Sequence, residues 1–415
     1  MHWLYNIAIR AYLLSIRFSS YFNPKARKWI EGRRDVFDKL NQIPDDNRPL
    51  AWFHCASLGE FEQGRPVIEA FRTHYPHYRI LLTFFSPSGY EIRKNYKQAD
   101  VVCYLPADTP GNASRFVERI NASLVVFVKY EYWHNFIHQI TRRQMPFYVL
   151  SANFRNDQYF FRWWGKWFLK NMKKTTHFFV QHQDSALLLQ HHNIKHVTIT
   201  GDTRLDRVMA IANEEISLPI IEKFVAGHKV LVAGSTWPPD EKLLARLIME
   251  VSQPIKLIIA PHEINESHLG NLESIFKDKA IRYSAATIPC EDKRVLIIDS
   301  IGKLSKIYRF GQFAYVGGGF GAGIHNVSEA AVYGVPVIFG PNFHKFREAH
   351  DLIGLGGAFS INDFTGLLEV FDRLCSDLVT WQHSADACRY YLLQHAGATE
   401  KVMKVLESGI EGGKH

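Results

Sequence analysis

The sequence predicts an α/β protein in which two Rossmann-like doubly wound lobes follow one another, with a membrane-associating helix at the N-terminus. Three observations support this prediction. The chain has 415 residues, which is too long for a single hydrophobic core. From Pro49 onward, short apolar runs alternate with longer amphipathic segments, the pattern of parallel strands covered by helices on both faces. The alternation stops over a polar stretch at 207–227 and then restarts.

We therefore expect three parts: an N-terminal interfacial helix and basic segment over 1–34, a first lobe over 35–206, and a second lobe over 207–415 that includes the C-terminal helices. The strands predicted for the first lobe are Leu50–Ala56, Tyr78–Phe85, Val101–Leu105, Leu124–Val128, Phe147–Leu150, His177–Val180 and Val197–Thr200. Those of the second are Val230–Ala233, Lys256–Ala260, Val295–Ile298, Ala314–Val316 and Val335–Phe339. Helices are expected between them, such as Glu62–Tyr75, Ala113–Ile120 and Tyr132–Arg143.

The N-terminal segment combines aromatic and aliphatic residues with arginines. Its apolar runs are interrupted by Arg10 and Arg17, unlike a signal peptide or a membrane-spanning helix. Such a helix fits the interface of an anionic leaflet, and the alternative is an amphipathic helix that packs on the protein itself. Up to residue 34 seven basic residues stand against one acidic residue, Glu31; the basic residues are Arg10, Arg17, Lys25, Arg27, Lys28, Arg33 and Arg34.

Composition and charge limit the partners. With 47% hydrophobic residues the chain has the composition of a globular protein, and its net charge of +8 favours something anionic. Because no nucleic-acid motif and no basic stripe beyond the N-terminal segment is present, we expect a membrane surface or a phosphorylated ligand and no nucleic acid. The five cysteines lack CxxC pairing and metal-ligand spacing, which predicts reduced thiols in the cytoplasm and no bound metal.

Charged residues follow several strands of the first lobe, at the edge where ligands bind in parallel sheets. Glu60 stands just after the first strand and could act as a general base, or it could merely complement the positive end of a helix. Lys129 and Glu131 follow another strand and could face a ligand or pair with each other. Arg204 could bind a phosphate bidentately, or it could be a hinge residue tied to Asp206.

The strongest local signal in the second lobe is a glycine-rich loop between a strand and a helix, at 317–331. Gly319, Gly321 and Gly323 would let backbone N–H groups approach a phosphate near the helix start. Asn326 and Glu329 have the spacing of a capping box, and Glu329 could alternatively accept hydrogen bonds from ribose hydroxyls. The loop satisfies neither the G-x-G-x-x-G pattern nor the Walker motif, which disfavours a dinucleotide oxidoreductase and a P-loop NTPase.

Two further turns follow strands of the same lobe. One contains Pro261 and His262, and the other contains Ile301, Gly302 and Lys303. Each could be a plain turn or cap. Together with the glycine loop they predict a ring of polar groups at one edge of one sheet, which suits a nucleotide-sugar site.

In this order, and along nearly the whole chain, these segments resemble the Kdo (3-deoxy-D-manno-octulosonic acid) transferase family. The family's Ser-Val-Gly-Glu motif, with a histidine before it, is similar to His54–Glu60, and its Thr-Pro-Thr-Gly turn is similar to 86–89. Its Tyr-Leu-Pro-x-Asp-x-Pro motif matches 104–110. The segment Gly-Gly-His-Asn-Pro-Leu-Glu is similar to Gly323–Glu329, and Gly-Val-Pro-Val-x-x-Gly-Pro matches 334–341. Single motifs are weak, but the ordered set is specific.

The resemblance implies a two-lobe glycosyltransferase of the GT-B type that moves Kdo from CMP-Kdo to a lipid A precursor, with inversion and without metal or cofactor. It implies that the first lobe serves the acceptor, with Glu60 as the general base, and that the second holds the CMP-sugar. Arg204 stands where the family has a lysine that stabilises the transition state. The nucleotide contacts carried over are Pro261, His262, Ile301, Gly302, Lys303, Asn326, Val327, Ser328 and Glu329. The glycine-loop amides, at Gly319, Gly321 and Gly323, would stabilise the departing phosphate.

The chain departs from the family pattern at three positions. Lys129 replaces the first glutamate of Glu-Thr-Glu-Leu-Trp-Pro, whereas Glu131 matches the second. His262 replaces the arginine of Pro-Arg-His, and Lys303 replaces the glutamate of Met-Gly-Glu. The expected location is the cytoplasmic face of the bacterial inner membrane, peripheral or anchored by the N-terminal segment. The rival hypotheses are a two-lobe transferase for a UDP- or GDP-sugar and a non-catalytic membrane or nucleic-acid binding protein.

Overall fold

A computed structural model describes residues 2–44, 46–129, 132–251, 253–287 and 292–412. The chain forms two compact units. The first comprises Met1–Asp206 together with the C-terminal segment from Gly397, and the second comprises Arg207–Ala396. Each unit contains one seven-stranded sheet. The predicted α/β fold with two doubly wound lobes is confirmed.

All strand pairs of the first sheet are parallel. The order β3-β2-β1-β4-β5-β6-β7 reverses direction at β1, which has β2 on one side and β4 on the other. Ligands of doubly wound sheets bind beyond the carboxyl ends of the strands at such a switch point. The strands are β1 (Leu50–Cys55), β2 (Arg79–Phe84), β3 (Val101–Tyr104), β4 (Leu124–Val128), β5 (Phe147–Ala152), β6 (His177–Val180) and β7 (Val197–Ile199).

Both faces of this sheet are buried. Side chains alternate along a strand, so Trp52 packs into the core on one face and Phe53 into the core on the other. This double burial explains why the strands read as continuous apolar runs rather than as alternating ones. The helices that cover them are α1 (His2–Ser19), α2 (Pro24–Glu31), α3 (Val36–Asn41), α4 (Leu58–His74), α5 (Pro87–Arg93), α6 (Pro110–Ile120), α7 (His134–Arg142), α8 (Lys166–Met172), α9 (Gln183–His191) and, at the unit's boundary, α10 (Thr203–Ala212).

The second sheet is also parallel and has the order β10-β11-β9-β8-β12-β13-β14. Its switch point is at β8, between β9 and β12. The strands are β8 (Lys229–Thr236), β9 (Ile255–Pro261), β10 (Ala280–Arg282), β11 (Val295–Ile297), β12 (Phe313–Val316), β13 (Val337–Phe339) and β14 (Ala358–Ser360). The helices are α11 (Pro219–Val225), α12 (Pro238–Glu250), α13 (Glu266–Phe276), α14 (Leu304–Ile307), α15 (Ser328–Ala331), α16 (Arg347–Leu355), α17 (Phe364–Ser376) and α18 (Leu378–His395).

The C-terminal helix does not belong to the unit in which the sequence analysis placed it. Helix α19 (Ala398–Gly412) packs against α4, and Val402, Met403 and Leu406 join the core of the first unit. The carboxylate of Asp206 accepts the N–H groups of Gly397 and Thr399 at 2.7 and 2.6 Å, which fastens the start of this helix. The expected range 207–415 for the second lobe is therefore corrected to end at Ala396. Chain order alone cannot show that a terminal apolar stripe returns to an earlier domain.

Helix α1 packs on the first unit, as one of the two alternatives for it predicted, and its opposite side is exposed. On one side, the Tyr5 hydroxyl donates to the buried Asp108 carboxylate at 2.5 Å, and Asn6 accepts from Asn135 at 2.9 Å. Burial raises the pKa of Asp108 to about 6, although hydrogen bonds from Tyr5 and two backbone amides oppose the rise. On the other side the helix exposes the apolar residues Trp3, Leu4, Ile7, Leu14 and Phe18. No helix in the part of the chain that the structure describes is long and apolar enough to cross a membrane.

One member of the basic N-terminal run is not a surface residue. The guanidinium of Arg33 lies 3.6 Å from the ring centroid of Trp29 and 4.9 Å from that of Phe85. It donates to the carbonyl oxygens of Leu105 and Phe85 at 2.9 and 2.7 Å. Burial lowers its pKa to about 9. Arg33 therefore attaches the segment after α2 to the carboxyl ends of β2 and β3 and contributes little to any anionic surface contact.

Candidate active site

In the first unit, Glu60 lies in the first turn of α4, directly after β1 at the switch point. Its carboxylate oxygen accepts the backbone N–H of Ser57 at 2.8 Å and the Ser57 hydroxyl at 3.0 Å. The glutamate thus completes one half of a capping box. Glu60 therefore stabilises the start of α4, which was one of the two hypotheses for it. Its side chain is also partly exposed at the edge of the sheet where ligands bind.

The strand next to β1 ends in a strained residue. Lys129 follows β4 with a φ of 63°, a left-handed conformation that costs energy for a residue with a β-carbon. Its N–H donates to the carbonyl of Leu150 at 2.8 Å, which ties the strained turn to β5. Such strain is common at binding and catalytic sites. Glu131, two residues further along, lies outside the described residues.

Arg204 is paired with Asp202 and not with Asp206. Its Nε and Nη2 atoms donate to one carboxylate oxygen of Asp202 at 2.8 and 2.5 Å. The hinge role suggested for an Arg204–Asp206 pair is therefore wrong, since Asp206 fastens the C-terminal helix. The next residue back, Thr203, donates its hydroxyl to the carbonyl of Gln63 at 2.5 Å. Arg204 thus begins a helix that contacts α4 one turn beyond Glu60.

In the second unit the glycine loop is held together by its own backbone. The N–H groups of Gly321 and Gly323 both donate to the carbonyl of Gly318, at 2.9 and 3.1 Å. These two amides, proposed from the sequence as phosphate donors, are therefore engaged within the loop. Gly321 is exposed, and a β-carbon there would meet only the carbonyl oxygen of Gly318, at 3.7 Å.

The neighbouring glycines have packing roles. A β-carbon at Gly319 would come within 2.6 Å of the Gly340 backbone, and one at Gly317 would come within 2.4 Å of the carbonyl oxygen of Ser235. Both contacts are closer than atoms can approach, so these positions require glycine for the packing of backbone against backbone. Part of the glycine signal thus reflects sheet packing and not a ligand.

A buried carboxylate fixes the base of this loop. Asp240, in the first turn of α12, is 0% exposed and accepts three hydrogen bonds. The donors are the Tyr315 hydroxyl at 2.7 Å, the N–H of Trp237 at 2.9 Å and the N–H of Gly318 at 3.0 Å. Asp240 therefore joins the helix after β8 to the strand and loop of β12. The sequence analysis did not select it, because an aspartate at a helix start looks like an ordinary cap.

Three rings meet above this edge of the second sheet, and we call them the aromatic cluster: Trp237, His262 and His325. His262 stacks on Trp237 with ring centroids 4.7 Å apart and on His325 at 4.4 Å. The indole N–H of Trp237 donates to Nε2 of His325 at 3.4 Å. Burial, followed by the neighbouring His262, lowers the pKa of His325, so this ring is neutral at pH 7.

Each ring of the cluster follows a different strand, β8, β9 or β12, and these strands are neighbours in the sheet. Only His262 was selected as a site residue from the sequence. Trp237 was missed, although an aromatic residue directly after a strand at this edge was a usable signal. Pro261, the last residue of β9, is buried and brings His262 to the sheet edge.

The remaining predicted nucleotide contacts fall in two groups. Asn326 donates to Glu329 at 3.3 Å and accepts the N–H of Ser328 at 3.1 Å, and the short helix α15 begins at Ser328, directly after Val327. Asn326 therefore supports the helix start through one backbone N–H group, whereas the N-cap position itself is occupied by Val327.

The second group lies farther along the sheet. Ile301, Gly302 and Lys303 follow β11, which is separated from β12 by β9 and β8. Ile301 is 90% exposed, and the Lys303 ammonium lies 5.3 Å from the ring centroid of Tyr283.

Two seven-stranded parallel sheets, each with polar side chains at its switch point, define a protein of two doubly wound α/β lobes. A solved UDP-N-acetylglucosamine 2-epimerase has this fold: it matches 88% of this chain and 97% of its own with a TM-score of 0.62, at 14% sequence identity. Residues 30–207 match the family model described as 3-deoxy-D-manno-octulosonic-acid transferase (kdotransferase). The chain is a glycosyltransferase that is similar to the Kdo transferase family.

Relatives extend this match along the chain. The 3-deoxy-D-manno-octulosonic acid transferase of Haemophilus influenzae is 25% identical over 96% of this chain and 94% of its own length. That of Chlamydophila psittaci is 27% identical over 81% of this chain and 79% of its own. The match to the first relative includes both units, so the resemblance is not confined to the residues of the family model.

Proposed function

We propose that this protein transfers Kdo from CMP-Kdo to a hydroxyl group of a lipid A precursor in lipopolysaccharide biosynthesis. The observation that carries the proposal is the match of residues 30–207 to the family model together with a partly exposed carboxylate, Glu60, at the switch point of the first sheet. The names of the relatives supply the sugar, and the family implies the acceptor.

In this proposal the second unit holds the donor. The aromatic cluster offers stacked rings to the pyrimidine base. Glu329 accepts hydrogen bonds from ribose hydroxyls. Gly321 leaves room for the phosphate, because nothing of the protein occupies the space beside it within ordinary contact distance except one carbonyl oxygen.

In the first unit Glu60 takes the proton of the attacking hydroxyl while the donor carbon acquires oxocarbenium character. The Ser57 donors hold the carboxylate in a fixed orientation. Arg204 places positive charge at the start of the helix that contacts α4, where it stabilises the phosphate that leaves. We also assign Lys129 and Glu131, which follow β4 in the chain, to this active site.

We also propose that the protein works at the cytoplasmic face of the inner membrane, attached through α1. The exposed apolar side of that helix supports this, because a water-soluble surface seldom carries so many large apolar side chains together. The acceptor is a lipid, so this attachment would bring the enzyme to its substrate.

The test is incubation of the protein with CMP-Kdo and a tetraacylated lipid A precursor, with transfer followed by mass spectrometry. UDP- and GDP-sugars form the comparison arm, and calorimetry with CMP, UMP and GMP measures which nucleotide binds. We expect transfer from CMP-Kdo alone and preferential CMP binding. If the protein transfers sugar from a UDP- or GDP-sugar and not from CMP-Kdo, the proposed donor is wrong.

We propose that the reaction needs no metal. The same assay with an excess of EDTA checks this, and we expect an unchanged rate, whereas a rate that is lost with EDTA and restored by Mg²⁺ would contradict metal independence.

A further inference from the structure

The segment between β5 and β6 of the first unit is unusually rich in aromatic and basic residues. Residues 155–174 contain seven aromatic residues and six basic ones against a single acid, Asp157. The aromatic residues are Tyr159, Phe160, Phe161, Trp163, Trp164, Trp167 and Phe168, and the basic ones are Arg155, Arg162, Lys166, Lys170, Lys173 and Lys174. The roles proposed above use none of these residues.

Part of this aromatic content is ordinary core. Phe160 and Phe168 are buried with the helices of the first unit. Trp163 differs, because its side chain is 81% exposed, and Tyr159 is 40% exposed. Core packing does not account for an indole left in solvent. Exposed tryptophan and tyrosine beside basic residues are typical of surfaces that meet the headgroup region of a membrane.

The same segment, from Phe161 to Lys173, lines a cavity of about 320 Å³, which we call the lysine cavity. One wall is α8 with its C-cap residue Lys173, and Lys166, Lys170 and Lys173 share one face because they are four and three residues apart. The other wall is the end of α9, with His191 and His192.

The charges around this cavity favour an anion. No acidic side chain lines it, and none of its three lysines forms an ion pair with any residue that the structure describes. The carbonyl end of α9 allows cations to gather there without a protein carboxylate. Three lysine charges together attract an anion that is small enough to enter, such as a phosphate group.

The segment also adjoins the helix that we propose as the membrane attachment. The Tyr5 ring of α1 lies 5.9 Å from Trp167 and 6.0 Å from Phe168, measured between ring centroids. Trp3 and Ile7, close to Tyr5 in α1, are exposed. The exposed apolar side chains of α1 and residues 155–174 therefore belong to the same unit and lie near each other on its surface.

We propose that the lysine cavity binds the phosphate of an anionic lipid headgroup while Trp163 lies in the membrane interface, so that this segment is a second membrane contact beside α1. The inference rests on the proposed membrane attachment of the enzyme. It is independent of which sugar is transferred.

The test replaces Lys166, Lys170 and Lys173 by Gln together. A matched control replaces Lys94, Lys97 and Lys401, which are exposed lysines of the same unit away from the cavity, and so changes the net charge equally. Each lysine near an anionic surface contributes about fivefold in affinity, so we expect the cavity variant to bind phosphatidylglycerol vesicles on the order of 100-fold more weakly at low salt. The control should lose much less. If the two variants lose vesicle affinity equally, net charge alone explains the loss, and the proposed phosphate site is wrong.

Two further experiments distinguish a lipid phosphate from free phosphate, and the apolar from the charged part of the membrane contact. Trp163→Ala should weaken vesicle binding at high as well as low salt, since the indole contribution is apolar. Inorganic phosphate, titrated by calorimetry, should bind far more weakly than vesicles; tight binding of phosphate alone, with vesicle binding unchanged in the cavity variant, would make this a soluble-anion site and contradict the proposal.

A final arm distinguishes this inference from the proposed function. In detergent, with solubilised acceptor, the cavity variant should transfer Kdo at the wild-type rate, because the cavity takes no part in the chemistry. If no variant or wild-type protein transfers Kdo but the cavity variant still loses vesicle binding, the proposed function fails and the membrane contact stands.

Discussion

In each unit, the helix that follows the switch-point strand has a carboxylate in its first turn. The two carboxylates have different surroundings. Helix α4 follows β1 and α12 follows β8, and each of these strands lies at its sheet's switch point. Glu60 and Asp240 each accept the backbone N–H of the residue three positions earlier, at 2.8 and 2.9 Å. Glu60 is partly exposed, whereas Asp240 is completely buried and accepts two further donors.

The two carboxylates therefore have different roles, although each accepts a backbone N–H group at the start of a helix. A carboxylate at the start of a helix stabilises that helix wherever it occurs. Exposure at the ligand edge gives Glu60 the chance to exchange a proton with a substrate. Burial under three donors makes Asp240 a positioning residue, which holds the glycine loop but cannot touch a ligand. Four predictions test this division, in order of decreasing effect.

Glu60→Gln should reduce kcat by about 10² to 10⁴, the usual contribution of a general base. The amide oxygen can still accept the N–H of Ser57, so the melting temperature and the affinity for CMP should stay unchanged. Glu62→Gln, on the same helix but paired with Arg93, is the control. Turnover of the Glu60 variant within about threefold of wild type would remove the base assignment.

Tyr315→Phe should lower the free energy of unfolding by about 1–3 kcal/mol, because it takes one of three donors from a buried carboxylate. The looser glycine loop should also bind CMP more weakly. Urea denaturation and calorimetry measure the two effects, with Tyr390→Phe, an exposed tyrosine, as control. Unchanged values for both quantities would show that Asp240 does not hold the loop through this contact.

Gly321→Val should weaken CMP binding about tenfold, equivalent to about 1.4 kcal/mol, without loss of stability. The side chain meets no close protein neighbour at its β-carbon and would occupy the space proposed for phosphate. Gly319→Ala is the informative contrast, because its β-carbon would collide with the Gly340 backbone and should destabilise the unit. Wild-type affinity in a folded Gly321 variant would place the phosphate elsewhere.

Ser57→Ala should cost about 1 kcal/mol of stability, since one hydrogen bond to Glu60 is lost while the backbone bond remains. Transfer should fall only severalfold, because the base itself is still present. Thermal unfolding and steady-state kinetics check the two parts. A loss of activity as large as that of Glu60→Gln would mean that the hydroxyl itself takes part in the chemistry.

Local patterns in the sequence predicted much of the fold. All seven strands of the first sheet were found, because strands buried on both faces are continuous apolar runs. Two strands of the second sheet, β10 and β14, were missed, since each has only three residues and β10 has no fully buried side chain. The polar stretch at 207–227 contains the end of α10 and all of α11, because a short helix can be mostly polar and still pack through a few residues.

The site was harder to predict than the fold. The positions of Glu60, His262 and the glycine loop follow from motifs at strand ends, which local sequence reveals. The role of Asp240 and the aromatic cluster depend on which strands are neighbours in the sheet. Strand order depends on the whole chain, so no local pattern could supply these contacts.

The return of α19 to the first unit has a consequence for how the protein is made. Its residues Val402, Met403 and Leu406 complete a core whose other members come from the N-terminal half of the chain. The intervening 190 residues, from 207 to 396, must be synthesised first. At the usual 5–20 residues per second this takes roughly 10–40 s. During translation the first unit therefore keeps an apolar face uncovered until α19 has been synthesised, and over this time it needs protection from aggregation.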